Sequence, residues 1–143
     1  MAELLQVINV GGKNMLVNQL SVFMENKEGR LEQVLETLAQ GNININSLSL
    51  AEATDYGMLR MMVSDPEAGE AALKEKGFMA RLTPVLAVNV ADEVGQLQVV
   101  LTKIKQAGIN IEYVYSMKAS GNDGATIIIR TSDLAKTEEV LNA

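Results

Sequence analysis

Apolar residues recur along this chain with two periods, and the periods follow each other in a fixed order. Across residues 19–25 the apolar Leu20, Val22 and Met24 alternate with Gln19, Ser21 and Glu25, the period-two pattern of a strand with one buried face. After a polar bend at residues 26–29, Leu31, Val34, Leu35 and Leu38 fall at i, i+3, i+4 and i+7, one stripe of an amphipathic helix. Gly41 is expected to stop that helix as its C′ residue. Residues 43–53 predict a second strand and 58–63 a third, joined by a turn at Asp55-Tyr56-Gly57. Asp65-Pro66 predicts a helix start, with Asp as N-cap and Pro at the first helical position. That helix runs to Gly77, and residues 78–82 read as a short fourth strand.

The same order then begins again. Asn26-Lys27-Glu28-Gly29-Arg30-Leu31 leads to Ile43-Asn44-Ile45, and Asp92-Glu93-Val94-Gly95-Gln96-Leu97 leads to Ile109-Asn110-Ile111, each residue 66 positions after its partner. A repeat of that size is a whole small module rather than one turn of a solenoid. In the second copy, residues 85–90 predict a strand, Leu97, Val100, Leu101 and Ile104 repeat the helical stripe, and Gly108 stops it. Strands are expected at 109–117 and 125–129, and Ser132-Asp133 starts a last helix that runs to about Val140.

A β-α-β-β-α-β order gives a four-stranded antiparallel sheet with both helices on one face, the ferredoxin-like arrangement. The expected fold is therefore α+β: two ferredoxin-like βαββαβ modules side by side, residues 18–82 and 83–143, after an N-terminal extension at 1–17. A unit of about 60 residues buries little surface alone, so the copies are expected to pack on each other. The second copy has no fourth strand of its own. Residues 4–10, apolar and β-prone, are a candidate edge strand for that copy or for a neighbouring chain. The alternative is a flexible lead-in to a fold that starts near Met15.

Composition narrows the function. A net charge of −6 disfavours a nucleic-acid backbone as partner, because that affinity comes from Lys and Arg releasing counterions. The five aromatics, Phe23, Tyr56, Phe78, Tyr113 and Tyr115, are too few for a base-stacking platform. The chain has no cysteine and no histidine, which removes disulfides, thiolate chemistry, the usual zinc sites and imidazole catalysis. No apolar run reaches about 18 residues, so no membrane span is expected. The start lacks a signal-peptide pattern, which leaves a cytoplasmic location as the default. No paired carboxylates or nucleophile–base arrangement stand out, so no catalytic residue, metal site or cofactor is assigned and the chain is not read as an enzyme.

The bends between strand and helix carry the candidate chemistry. A helix start offers unpaired amides and the positive end of the dipole, a ready anion site. Asn26 and Asp92 are expected N-caps. Gly29 and Gly95 would then lie in the first helical turn, where glycine weakens a helix. Such a glycine either lets something approach the backbone or lets the helix pack on the strand. Asn44 and Asn110 either face a ligand or cap a strand start. Tyr113 and Tyr115 stand where the first copy has Ser47 and Ser49, so they line one site, leaving the other roomier, or belong to the core. Met58, Met61 and Met62 read as packing, and Lys27, Arg30, Lys103 and Lys105 as solvated helix-face charge.

The strand followed by Asn/Asp-x-x-Gly-x-Leu and by a helix ending in Gln40-Gly41-Asn42-Ile43-Asn44-Ile45 or Gln106-Ala107-Gly108-Ile109-Asn110-Ile111 resembles the ACT domain, a small amino-acid-binding regulatory module. The likeness covers residues 18–82 and 85–142 and is greatest to stand-alone proteins of two tandem ACT domains. It implies that a free amino acid binds between paired modules, held by the loop after the first strand of one and the second strand of the other. Carried over, the ligand-binding set is Asn26, Lys27, Glu28, Gly29, Arg30, Leu31 and Asn44, and Asp92, Glu93, Val94, Gly95, Gln96, Leu97 and Asn110, with Tyr113 and Tyr115. An α-carboxylate suits the helix-start amides, and an α-ammonium suits the oxygens of Asn26, Asn44 or Asp92. The family commonly has Pro before the loop glycine; Glu28 and Val94 stand there instead, which leaves both loops less stiff. The implied function is a sensor that passes ligand state to a partner enzyme or regulator. The alternative is a structural or assembly module that kept the fold without the ligand. Edge strands and the N-terminal extension make a homodimer a candidate assembly.

Overall fold

The computed structural model describes residues 15–118 and 124–143. Among them are strands β1 (Leu16–Glu25), β2 (Ile45–Glu52), β3 (Tyr56–Val63), β4 (Met79–Val90), β5 (Ile111–Lys118) and β6 (Ala125–Thr131). The helices are α1 (Arg30–Gln40), α2 (Pro66–Glu75), α3 (Gln96–Gln106) and α4 (Leu134–Asn142). The order β-α-β-β-α-β thus appears as expected, and the chain divides into two compact units. One is Asn18–Thr83; the other is Pro84–Ala143 together with residues 15–17.

In the first unit the strands lie in the order β2-β3-β1-β4, with the opening residues of β4 at one side. β3 pairs antiparallel with both β1 and β2, Leu20 opposite Met61 and Leu48 opposite Met61 from the other side. Alternation sends Leu20, Val22 and Met24 of β1 and Leu59, Met61 and Val63 of β3 to one face, where Val34 and Leu38 of α1 and Leu73 of α2 complete the core. Leu20, Val22, Val34, Leu38, Leu59 and Leu73 are wholly buried, each worth about 1.5–3 kcal/mol over an exposed side chain.

The second unit repeats this with β4, β6 and β5, in which Val88 lies opposite Ile127 and Val114 opposite Ile129. Its core gathers Leu86, Val88, Ile104, Ile109, Ile127 and Ile129. The fourth strand that the repeat lacks comes from residues 15–17. The Ala87 N–H donates to the Met15 carbonyl at 2.9 Å. The Met15 side chain is buried in that same core, and its N–H donates to the Glu138 carboxylate at 2.7 Å. Residues 4–10, the candidate edge strand, lie outside the described residues.

Three local expectations need correction. Residues 78–82 and 85–90 are not two strands but parts of one, β4, with Pro84 inside it. Pro84 is exposed and its carbonyl accepts from Arg130 at 2.7 Å; a strand tolerates proline where its missing N–H is not needed. The left-handed residue after α1 is Asn42 (φ 61°), not Gly41 (φ −86°), and Gly108 (φ 74°) takes the matching place after α3. Ile43 and Ile109 then donate back to the carbonyls of Leu38 and Ile104, the reverse turn that closes a helix end. The third correction concerns the helix starts, which shape the site. No helix among the described residues is long and apolar enough to cross a membrane.

Candidate functional site: two uncapped helix starts

The four helices begin in two ways. At α2 and α4 an aspartate caps the first turn: Asp65 accepts from the Ala68 N–H at 3.1 Å and Asp133 from the Lys136 N–H at 3.0 Å. At α1 and α3 no side chain caps the start. The N-cap is Gly29 or Gly95, not Asn26 or Asp92. Each glycine adopts a left-handed conformation, φ 82° and 85°, which bends the chain from strand exit into helix within four residues. Asn26 is used otherwise. Its N–H donates to the Asp55 carbonyl at 2.8 Å and its carboxamide Nδ2 to Ala53 at 3.5 Å, tying the bend to the β2–β3 turn.

The two bends share one hydrogen-bond plan. Lys27 donates to the Glu25 carbonyl, Arg30 to Lys27 and Gln33 to Gly29, at 2.9, 3.1 and 3.1 Å. Glu93 donates to Ala91, Gln96 to Glu93 and Val99 to Gly95, at 2.9, 3.3 and 3.1 Å. The first-turn amides of Leu31 and Glu32, and of Leu97 and Gln98, have no intrahelical carbonyl to reach. They form the positive end of the helix dipole. A Cβ built on either glycine would meet nothing within 4 Å. The glycines are therefore required by backbone angle, not by packing of helix on strand, and the space above them is open.

The side chains around the first bend take separate roles. Lys27 and Glu28 are exposed, while Leu31 packs against the first core. Arg30 is held beside the bend: its Nη1 donates to Gln33 at 2.8 Å, its Nε lies 3.7 Å from the Glu25 carboxylate, and its Cζ sits 4.9 Å from the centre of the Phe78 ring. Asn44 exchanges backbone bonds with Ser64, receiving the Ser64 N–H at 2.9 Å and donating to its Oγ at 3.0 Å. Its carboxamide donates to Asn46 at 2.9 Å. Asn110 repeats the backbone part with Ser132, so both asparagines fix the start of a strand.

At the second bend a shallow hollow of about 710 Å³ brings together Glu93, Gly95, Gln96 and Leu97 with Gln98, Thr102, Lys105 and Ile111. The hollow can hold a carboxylate on amides and Lys105, and an ammonium on Glu93. Asp92, Val94 and Asn110 do not line it, and Val94 is fully exposed. Tyr113 and Tyr115 do not line it either. They stack at 6.5 Å between ring centres and lie opposite Arg130 and Ile128, on the sheet face away from Ile127, Ile129 and the helices. Thr102 was not singled out in the sequence, and Lys105, read there as solvated helix-face charge, lines the hollow. Lys105 stands eight residues after Leu97, on the helix side that the bend begins, and that spacing was the available signal.

A family model described as "ACT domain pair" matches residues 15–143. The chain belongs to this family. The ACT domain pair accounts for the doubled fold and for the paired bends. A solved protein of Bacteroides thetaiotaomicron is 42% identical, with 91% of this chain and 89% of that one covered and a TM-score of 0.82. The ligand-free regulatory subunit of aspartate kinase from Thermus thermophilus shares the fold at 14% identity, 90% and 95% coverage and a TM-score of 0.59. The corresponding regulatory subunit from Thermus flavus does so at 14% identity, 90% and 93% coverage and a TM-score of 0.60. No curated protein matches the chain.

Proposed function

We propose that this ACT domain pair is an amino-acid sensor that binds a free amino acid at the bends beginning with Asn26 and Asp92 and modulates a partner enzyme or regulator. The observation that carries the reading is the contrast among the helix starts. Two are closed by aspartate, while the two bends that the repeat preserves keep their amides uncapped beneath open space. The α-carboxylate sits on the first-turn amides. The strand carrying Asn44 or Asn110 in a paired module faces the ligand's other side, with Tyr113 and Tyr115 narrowing one of the two sites. Ligand held between modules tightens that pairing, and the difference in affinity between loose and tight states is the signal passed on, typically about 1–3 kcal/mol.

The test is the unfolding midpoint of the whole chain with each of the twenty amino acids at millimolar concentration. A ligand at about 100 times its Kd adds roughly 2.7 kcal/mol. One amino acid, or a small chemically related group, is expected to raise the midpoint, and Gly29→Asn or Gly95→Asn to abolish the rise at its own bend. No rise with any of the twenty would sink the sensor reading in favour of a structural or assembly module.

A further inference from the structure

The first unit has a hollow that no residue of its bend lines, of about 490 Å³, with Phe23, Met58, Phe78 and Met79 as walls and Lys74 and Arg81 as its charged groups. No carboxylate lines it. Phe23 and Met58 lie opposite each other in the β1–β3 pair. Phe23 is 40% exposed and Met79 67% exposed, an unusual use of large apolar side chains on a sheet surface. Tyr56 stacks on Phe23 with ring centres 4.9 Å apart. Arg30 covers Phe78 from the bend side.

The repeat supplies an internal control. The places of Phe23 and Met58 are taken in the second unit by Asn89 and Thr126, which also face each other and share a 2.6 Å hydrogen bond. The same sheet position therefore folds with a small polar pair, and the apolar walls in the first unit are not a demand of the fold. Aromatic rings and thioethers favour a flat aromatic body. Of the two cations, Lys74 is paired with Glu70 at 3.1 Å. Arg81 is exposed and has no ion-pair partner among the described residues, so a planar guanidinium is left to receive a carboxylate.

We propose that this hollow is a second ligand site, for a small aromatic carboxylate that carries no amino group. The ring lies among Phe23, Met58 and Met79, and the carboxylate pairs with Arg81. The lining offers no acidic group to an α-ammonium, so an amino acid of the same size is rejected: its ammonium would lose water without gaining a partner. The site does not depend on amino-acid binding at the bends.

The experiment uses the full chain with 13C-labelled methionine methyls. 3-Phenylpropionate and L-phenylalanine are titrated in parallel, since they differ by the amino group. The expected result is a saturable shift of the Met58 and Met79 methyls with 3-phenylpropionate, while the core methyls of Met15 and Met61 stay in place. L-Phenylalanine should bind there at least roughly tenfold more weakly. Arg81→Gln should weaken 3-phenylpropionate roughly tenfold. The double variant Phe23→Asn, Met58→Thr, which imports the pair already tolerated in the second unit, should abolish the Met79 shift. Gly29→Asn should leave the titration unchanged, which separates this site from the bend. Equal response to both probes, an unchanged Arg81→Gln affinity or the absence of saturation would overturn the proposal. So would Met58 and Met79 shifts that follow protein concentration without any probe, because they would assign the hollow to a second copy of the chain.

Discussion

Substituting Gly29 by alanine isolates one physical effect. At φ 82° and ψ −8° the residue sits in the left-handed region, where an L side chain costs about 1–2 kcal/mol. A Cβ there meets no atom within 4 Å, so no clash adds to that figure. Alanine also restricts the unfolded chain, which returns about 0.4–1 kcal/mol. The net loss is therefore about 1 kcal/mol. In a unit of this size that lowers the midpoint by roughly 4–8 °C, readable by circular dichroism or calorimetry. Asparagine tolerates the left-handed region better. This chain already uses it so, with Asn42 at φ 61° where the second copy has Gly108 at φ 74°. Gly29→Asn should thus lose about half as much stability as Gly29→Ala while placing a side chain over the amides. If Gly29→Ala were as stable as the parent, or Gly29→Asn less stable than Gly29→Ala, the assignment of this glycine to backbone angle would be wrong.

Three other outcomes follow from the packing and the helix caps. Met15→Ala empties a buried place in the second core and should cost about 2–5 kcal/mol, seen as early urea unfolding of the Ile104 and Ile129 amides while those of Leu38 and Leu59 hold. Asp65→Ala and Asp133→Ala each remove a cap and should cost about 1 kcal/mol. The same change at Asp92 should leave stability within about 0.5 kcal/mol, since its side chain does not cap α3.

The periodic stripes made most of the fold legible. Leu31, Val34, Leu35 and Leu38, and their copies, marked helices that the structure contains, because an amphipathic face is a local property of sequence. β4 was not legible as one strand, because Thr83-Pro84 resembles a break unless one knows that the proline's position needs no N–H. The role of residues 15–17 was hidden for a different reason: strand pairing joins distant segments, and nothing near Met15 names Ala87 as its partner. At the candidate site, the repeated phrase located the two strand-to-helix bends but named the wrong caps. Asn26 and Asp92 are good cap residues by type, yet the left-handed glycine three residues later moves the helix start beyond their reach. Met61 and Met62 are core as read, whereas Met58 lines the hollow of the first unit. Alternation along β3 separates Met58 and Met62 from Met61, but only exposure distinguishes Met58 from Met62.

The bond from Met15 to Glu138 spans 123 positions, and it sets an order of events during synthesis. The first unit, Asn18–Thr83, is contiguous and can close on the ribosome as soon as its last residues emerge. The other unit must wait for its carboxyl-terminal segment. At roughly 5–20 residues per second, the opening segment stays without its partner for several seconds. Until α4 emerges, the Met15 N–H has no carboxylate to receive it, so the second unit is the later of the two to close.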